Sequence, residues 1–255
     1  MCGISGFISQ KRVKENGSRI KKSIVLQNDR GNGLGAGYAA YGIYQEYEQF
    51  YALHVMAGDT AGMLEVKNYL QKHFEIHHGE EIPVWDKKIK DYPVLRRFFV
   101  EPGEAALDDP SWNGNEDDYT IGKVMELNGS FSNAFIFSSG KNMGVFKGMG
   151  TPADIYDFFL LDDYEGYIWL AHNRFPTNTP GWWGGAHPFN LLAWSIVHNG
   201  EISSYGINRR YLESHGYVCR MQTDSEVVAY LLDLLIRRHG LTVYDTTMVL
   251  APPYW

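Results

Sequence analysis

The second residue constrains this chain more than any other. Met1-Cys2-Gly3-Ile4-Ser5-Gly6-Phe7 sets a cysteine directly behind the initiator methionine, and cysteine is small enough for that methionine to be removed. The mature terminus would then carry a thiol and an α-amine on one residue, with reference pKa values of about 8.5 and about 7.7–8.0. Such a residue can act as nucleophile and base together. The plainer alternative is a small residue at a frayed end, as most termini are. The next residues, Gly3-Ile4-Ser5-Gly6-Phe7-Ile8, alternate small with apolar side chains, which predicts a buried strand anchoring the terminus.

Composition limits what could surround that terminus. A chain of 255 residues, 44% hydrophobic and 21% charged, can bury one full core, either as a single large domain or as a domain with an insertion. A net charge of −7 without any Lys/Arg block argues against a nucleic-acid surface. No apolar run reaches the roughly 18 residues of a membrane span, and no basic or apolar leader opens the chain. Two cysteines, Cys2 and Cys219, make neither a disulfide framework nor a metal-binding pair, so the chain reads as a reduced, cytoplasmic protein.

Along the chain, Ile20 to Gln27 has the spacing of a short helix, and Asp29 to Gly37 is a glycine-dense turn feeding a tyrosine-rich strand region. No Walker lysine follows, so the turn reads as close backbone approach rather than a phosphate loop. Tyr51 to Met56 predicts a strand, Thr60 to His73 a helix, Phe74 to His78 a strand, and Tyr92 to Val100 a helix or strand. Together these suggest an α/β subdomain inserted around residues 51–120. His73, His77 and His78 lack partners at ligand spacing and read as surface histidines, with no metal expected. Residues 106–120 are polar and acidic and read as a linker. Phe131 to Phe137 and Met143 to Phe146 flank Ser138-Ser139-Gly140-Lys141-Asn142 as a β-hairpin. Pro152 to Leu161 predicts a helix, Tyr167 to Ala171 and Leu191 to Val197 strands, residues 208–216 a helix, and Tyr217 to Met221 a short strand. Thr223 and Glu226 form a capping box that opens a helix continuing to Arg238. The apolar ending Pro252-Pro253-Tyr254-Trp255 reads as a fragment or one lobe of something longer.

Several strand ends offer groups suited to a glutamine-like ligand. Arg174 presents a planar fork for an α-carboxylate. Asp224 offers a fixed negative charge for an α-ammonium, and the Asn199 side chain with the Gly200 N–H could hold an oxyanion. Singly, each has an ordinary structural explanation: an ion pair, a cap, a turn. Taken together with Cys2 they are harder to set aside.

Met1-Cys2-Gly3-Ile4, Arg174-Phe175-Pro176-Thr177, His198-Asn199-Gly200-Glu201 and Thr223-Asp224-Ser225-Glu226, in this order, resemble the class II glutamine amidotransferases. Phe135 to Lys147, Pro180 to Phe189 and Arg237 to Leu241 look like the stand-alone amidotransferase subunit of archaeal-type glutamate synthase. The resemblance implies an α+β fold, a four-layer α/β/β/α N-terminal nucleophile sandwich. It also implies Cys2 as nucleophile, Asn199 and Gly200 as the oxyanion hole, and Arg174, Thr177 and Asp224 as holders of L-glutamine. Arg30 would support Cys2, Trp182 and His187 would belong to a lid over the ligand, and Cys219 would be a spectator.

By the same resemblance, the expected function is release of ammonia for a glutamate synthase partner that aminates 2-oxoglutarate. FMN and iron–sulfur clusters would sit on that partner, with no cofactor in this chain. One alternative is the same chemistry serving an amino sugar, a nucleotide precursor or a methylamine-derived product. Another is a non-catalytic regulatory subunit that binds an amino acid. The stretch 51–120 exceeds the minimal family pattern, and the chain stops before the late elements usual after the Thr223-Asp224 helix. Strands of the second sheet would then come from the insertion or be missing.

Overall fold

The computed structural model describes residues 1–176 and 180–251. In chain order the first elements are β1 (Gly3–Ile8), β2 (Glu15–Asn16), α1 (Ser18–Val25), β3 (Ala36–Tyr41), β4 (Tyr51–Ala57), α2 (Thr60–His73), β5 (Phe74–Glu81) and β6 (Val94–Pro102). Then follow α3 (Glu116–Ser130), β7 (Ala134–Ser138), β8 (Met143–Gly148), α4 (Pro152–Phe158), β9 (Glu165–Gly166) and β10 (Ile168–Asn173). The last are β11 (Phe189–Leu191), β12 (Trp194–Ile196), α5 (Tyr205–Ser214), α6 (Asp224–Leu232) and α7 (Val243–Leu250), and α6 runs on into a π-helical segment, Asp233–Arg238.

These strands make a mixed α/β architecture with two antiparallel four-stranded sheets, ordered β1-β10-β3-β8 and β5-β6-β4-β7. Two short pairs, β2-β9 and β11-β12, complete the ladders among the described residues. Helices α1 and α4 pack on the first sheet, and α2 and α3 on the second. The sheets meet through β8, which touches both β4 and β7. All three are buried along their whole length, since each needs apolar cover on both faces. Phe98, Phe99, Phe146, Phe158 and Trp169 are among the largest side chains buried in the core. At roughly 1.5–3 kcal/mol per fully buried large apolar side chain, this core is the main favourable term in the fold.

The first sheet positions the site through its register. Gly3 pairs with Asn173 and Ile4 with His172, so one step beyond the ladder Cys2 faces the segment that begins at Arg174. β1 is an edge strand rather than a buried one, with Ile4 37% and Ile8 65% exposed. What anchors it is the ladder to β10 together with Gln27, whose side chain donates to the Ile4 oxygen and accepts from the Ile4 N–H.

Four other expectations need correction. The hairpin across residues 131–146 does not form: β7 pairs with β4 and β8 with β3, so the Ser138–Asn142 turn carries the chain from one sheet to the other. Both strands are buried along their whole length, a place open to them only between layers. The acidic linker ends early, because α3 starts at Glu116. Asn115 accepts from the Asp118 N–H, and Glu116, Asp117 and Asp118 complement the positive end of the helix dipole. Residues 217–221 form no strand and join no ladder. The capping box at α6 is half made: Thr223 accepts from the Glu226 N–H, while the Glu226 carboxylate accepts from the Arg220 and Met221 N–H groups instead.

The stretch around 51–120 contributes β4, β5, β6, α2 and the start of α3, and β4 pairs outside the stretch with β7. Residues 92–100, open between helix and strand in sequence, lie mostly in β6.

Candidate active site

A cleft of about 570 Å³ opens where β1 and β10 end, and Cys2, Arg174, His187, Asn199, Gly200 and Asp224 all line it. They arrive from five separate segments. Among the described residues a second cleft, about 520 Å³, lies by Tyr44, Tyr47, His78, Glu80 and Arg97 and contains none of Cys2, Arg174, Asn199, Gly200 and Asp224.

Cys2 is held at its sulfur and at its carbonyl. The Phe175 N–H points at Sγ from 3.3 Å. The Cys2 carbonyl oxygen accepts from Arg30 Nε at 3.0 Å and from Asn199 Nδ2 at 3.1 Å. Arg30 therefore bears directly on the Cys2 backbone. Its turn is locked by Asn173, whose Nδ2 donates to the Gln27 and Asn28 oxygens at 2.9 and 3.1 Å.

Arg174 leaves β10 with its backbone N–H on the Gly35 oxygen and is only 4% exposed. Its Nη1 lies 3.4 Å from the Pro180 oxygen. Burial lowers its pKa from the ordinary guanidinium range, and charge on Cys2 opposes that, which couples the two groups. Thr177 lies outside the described residues.

Asn199 and Gly200 follow β12. The His198 oxygen is held by His172 Nε2 at 3.0 Å, which ties this loop to β10. Asn199 directs its amide to the Cys2 carbonyl, which brings this side chain to the Cys2 backbone.

Asp224 is the first residue of α6. Its Oδ2 accepts from the Ile202 N–H at 3.2 Å and lies 3.7 Å from His198 Nδ1. Burial alone would raise its pKa; the bonds from His198, Ile202 and Ser225 outweigh burial and bring it below the usual carboxylate range. The group is thus an anion at neutral pH.

His187 lines the cleft, buried, with Nε2 2.7 Å from Ser225 Oγ. Trp182 does not line it. Its ring packs edge-on against Phe135 at 5.8 Å over Gly184, where a β-carbon would stand 2.3 Å away. Cys219 is buried away from the cleft, and burial pushes its thiol up to about 12.

Sequence reasoning gave no role to His172, Ser225 or the Phe175 N–H. A buried histidine in an apolar strand end, and a serine directly after the aspartate, were the available signals. Lys147 and Glu226 were also missed: both are 1% exposed, with Lys147 Nζ on the Gly184 oxygen at 3.0 Å and over the Phe189 ring. Burial lowers Lys147 to about 7 and raises Glu226 to about 7. Away from the cleft, Glu75, His77 and Glu101 place three possible ligand atoms within 4.8 Å of one another on β5 and β6. There His77 is already bonded to Glu101 at 2.6 Å and stacked on Phe50.

Comparison with known proteins gives a family match: the model described as "Glutamine amidotransferases class-II" matches residues 86–255. An uncharacterized protein of Archaeoglobus fulgidus is 48% identical over 258 residues, spanning 100% of this chain and 68% of that protein. A protein named putative glutamine amidotransferase, from Methanothermobacter thermautotrophicus, is 27% identical over 248 residues, 94% of this chain and 75% of the relative. A glutamine–fructose-6-phosphate aminotransferase of Sulfurisphaera tokodaii is 30% identical over 118 residues, 46% of this chain and 20% of the relative. The family match includes Arg174, Asn199, Gly200 and Asp224; Cys2 lies before it and is joined to them by the geometry above.

Proposed function

Because the chain belongs to the class II glutamine amidotransferases, and so is a glutamine amidotransferase, we propose that Cys2 is its nucleophile and that the ammonia released serves a synthase partner. The observation that carries this reading is the β1–β10 register, which sets the Cys2 sulfur beside Arg174 in one cleft with Asn199, Gly200 and Asp224. Met1 is 78% exposed, open to the aminopeptidase that would free the Cys2 α-amine.

In this mechanism Arg174 takes the glutamine α-carboxylate and Asp224 the α-ammonium, with Thr177 supporting the loop. The Cys2 thiolate attacks the side-chain carbonyl carbon, and the oxyanion is met by Asn199 Nδ2 and the Gly200 N–H. The C–N bond breaks as the Cys2 α-ammonium gives its proton to the departing ammonia. Water, deprotonated by the α-amine, cleaves the γ-glutamyl thioester to glutamate and restores the thiol. Arg30 steadies Cys2, and His187 lines the cleft. A free thiol of this kind implies the cytoplasm.

We read residues 1–255 as one amidotransferase domain in an α/β/β/α sandwich, with the stretch 51–120 building its second sheet. The partner we favour is of the glutamate synthase type, carrying the FMN and iron–sulfur clusters and aminating 2-oxoglutarate. The likeness of the flanking residues supports this choice. An amino-sugar acceptor is the second reading, supported by the name of the Sulfurisphaera relative.

The test is intact mass after incubation with diazo-oxo-norleucine, a glutamine-like electrophile. One adduct is expected on protein lacking Met1 and none on Cys2→Ala. No adduct on folded, processed protein would refute a competent glutamine site in this chain.

A further inference from the structure

Behind Asp224 lies a set of hydroxyl and imidazole groups that the amide chemistry does not itself consume. Ser225, 1% exposed, has its Oγ 2.7 Å from His187 Nε2, 3.2 Å from His198 Nδ1 and 3.3 Å from Asp224 Oδ1. His187 stacks on His172 with ring centroids 4.0 Å apart and 18° between planes.

The proton positions follow from the surroundings. His172 Nε2 faces the His198 carbonyl oxygen, so this nitrogen carries the hydrogen. The Nδ1 atoms of both rings are buried without a partner among the described residues. An orphaned N–H is rarer than an under-satisfied acceptor, so His187 also carries its hydrogen on Nε2 and donates it to Ser225. Burial keeps both rings neutral, and for His187 the neighbouring His172, Lys147, Arg174 and His198 add to that effect. With His187 donating into its oxygen, Ser225 turns its own hydrogen toward Asp224 Oδ1.

Resting on the reading of Asp224 as the partner of the α-ammonium, we propose that Ser225 is a positioning residue: held by His187, it fixes the orientation of the Asp224 carboxylate and so sets the site's preference for a ligand bearing an α-ammonium. One carboxylate oxygen is held by the Ile202 N–H and the other by Ser225, which leaves the remaining lone pairs in a defined direction. Without Ser225 the charge stays but its direction is lost.

The test compares L-glutamate with glutarate, the same diacid lacking the α-ammonium, by ligand-observed NMR titration; neither measurement needs turnover. The parent is expected to bind glutamate more tightly. Ser225→Ala should lower that preference by about tenfold, with glutarate weakening by no more than about twofold. His187→Leu should act in the same direction, and His187→Gln, whose amide N–H can reach the place of Nε2, should keep the preference within about threefold. Equal weakening of both ligands in Ser225→Ala, or an undiminished preference, overturns the inference alone. His187→Gln behaving like His187→Leu overturns the part assigned to His187. A parent that binds both ligands equally overturns the assignment of Asp224 and this inference with it.

Discussion

Replacing Gly31 with alanine tests how the Arg30-Gly31 turn is fitted to the Cys2 backbone. Gly31 has φ −114° and ψ 177°, an extended conformation open to any residue, so backbone strain plays no part. The obstacle is the Asn173 side chain. A β-carbon at position 31 would stand 1.9 Å from its Oδ1, 2.4 Å from Cγ and 2.6 Å from Nδ2. Asn173 is 1% exposed and must leave its pocket, giving up its bonds to the Gln27 and Asn28 oxygens. Two hydrogen bonds at about 0.5–1.5 kcal/mol each, with about 1–3 kcal/mol for a buried amide left unpaired, put the loss on the order of 2–6 kcal/mol. At about 2–4 °C per kcal/mol for a chain of this size, that lowers Tm by at least about 4 °C. Thermal unfolding of the parent, Gly31→Ala, Asn173→Ala and the double variant forms the assay. With Asn173 already truncated, alanine at 31 should cost under about 0.5 kcal/mol more. Alkylation of Cys2 by diazo-oxo-norleucine should slow in Gly31→Ala, because Arg30 holds the Cys2 carbonyl. A parental Tm in Gly31→Ala, or the same cost with and without Asn173, would falsify the steric argument.

Arg220 donates to the Asn128, Phe131, Ser132 and Ala134 oxygens, closing the C-terminal end of α3 and the turn into β7. Arg220→Ala should cost about 2–4 kcal/mol in urea unfolding, and Lys should recover less than half, since one ammonium cannot replace the fork. Burial depresses Lys147 from 10.5 to about 7, so between those values the unfolded chain binds the extra proton and stability rises with pH. Relative to Lys147→Met, the parent should therefore gain stability from pH 7 to 10, and parallel curves would exclude a buried, neutralised lysine. Glu226, raised from 4.5 to about 7, acts oppositely, and its contribution is lost as pH rises through 7. Iodoacetamide at pH 8 should modify one thiol of the folded chain, Cys2, and two after denaturation, because burial holds the Cys219 thiol at about 12. Rapid labelling of Cys219 in folded Cys2→Ala would contradict that placement.

Local chemistry was legible in the sequence wherever neighbours along the chain decide the outcome. The alternation in Gly3–Ile8, the helical spacing of Thr60–His73 and the Thr223 cap each depend on contacts within a few residues, and each element formed. The separate motifs could be read for the same reason: Arg174, Asn199-Gly200 and Asp224 sit in short segments whose residue types suit one ligand. The tertiary structure decided which surfaces those segments meet. β7 and β8 carry the pattern of a hairpin, yet they part because two sheets compete for strands buried on both faces. Asn199 reaches the Cys2 carbonyl across 197 positions, and Ser225 meets His187 across 38. No periodicity encodes such distances; they follow from the antiparallel register of β1 on β10 and the packing of α6 against β11 and β12. The sequence determined which groups were available and the local shape of the segments bearing them. Only the folded chain brought those groups to one cleft, because non-local packing set their spacing and burial set their charge.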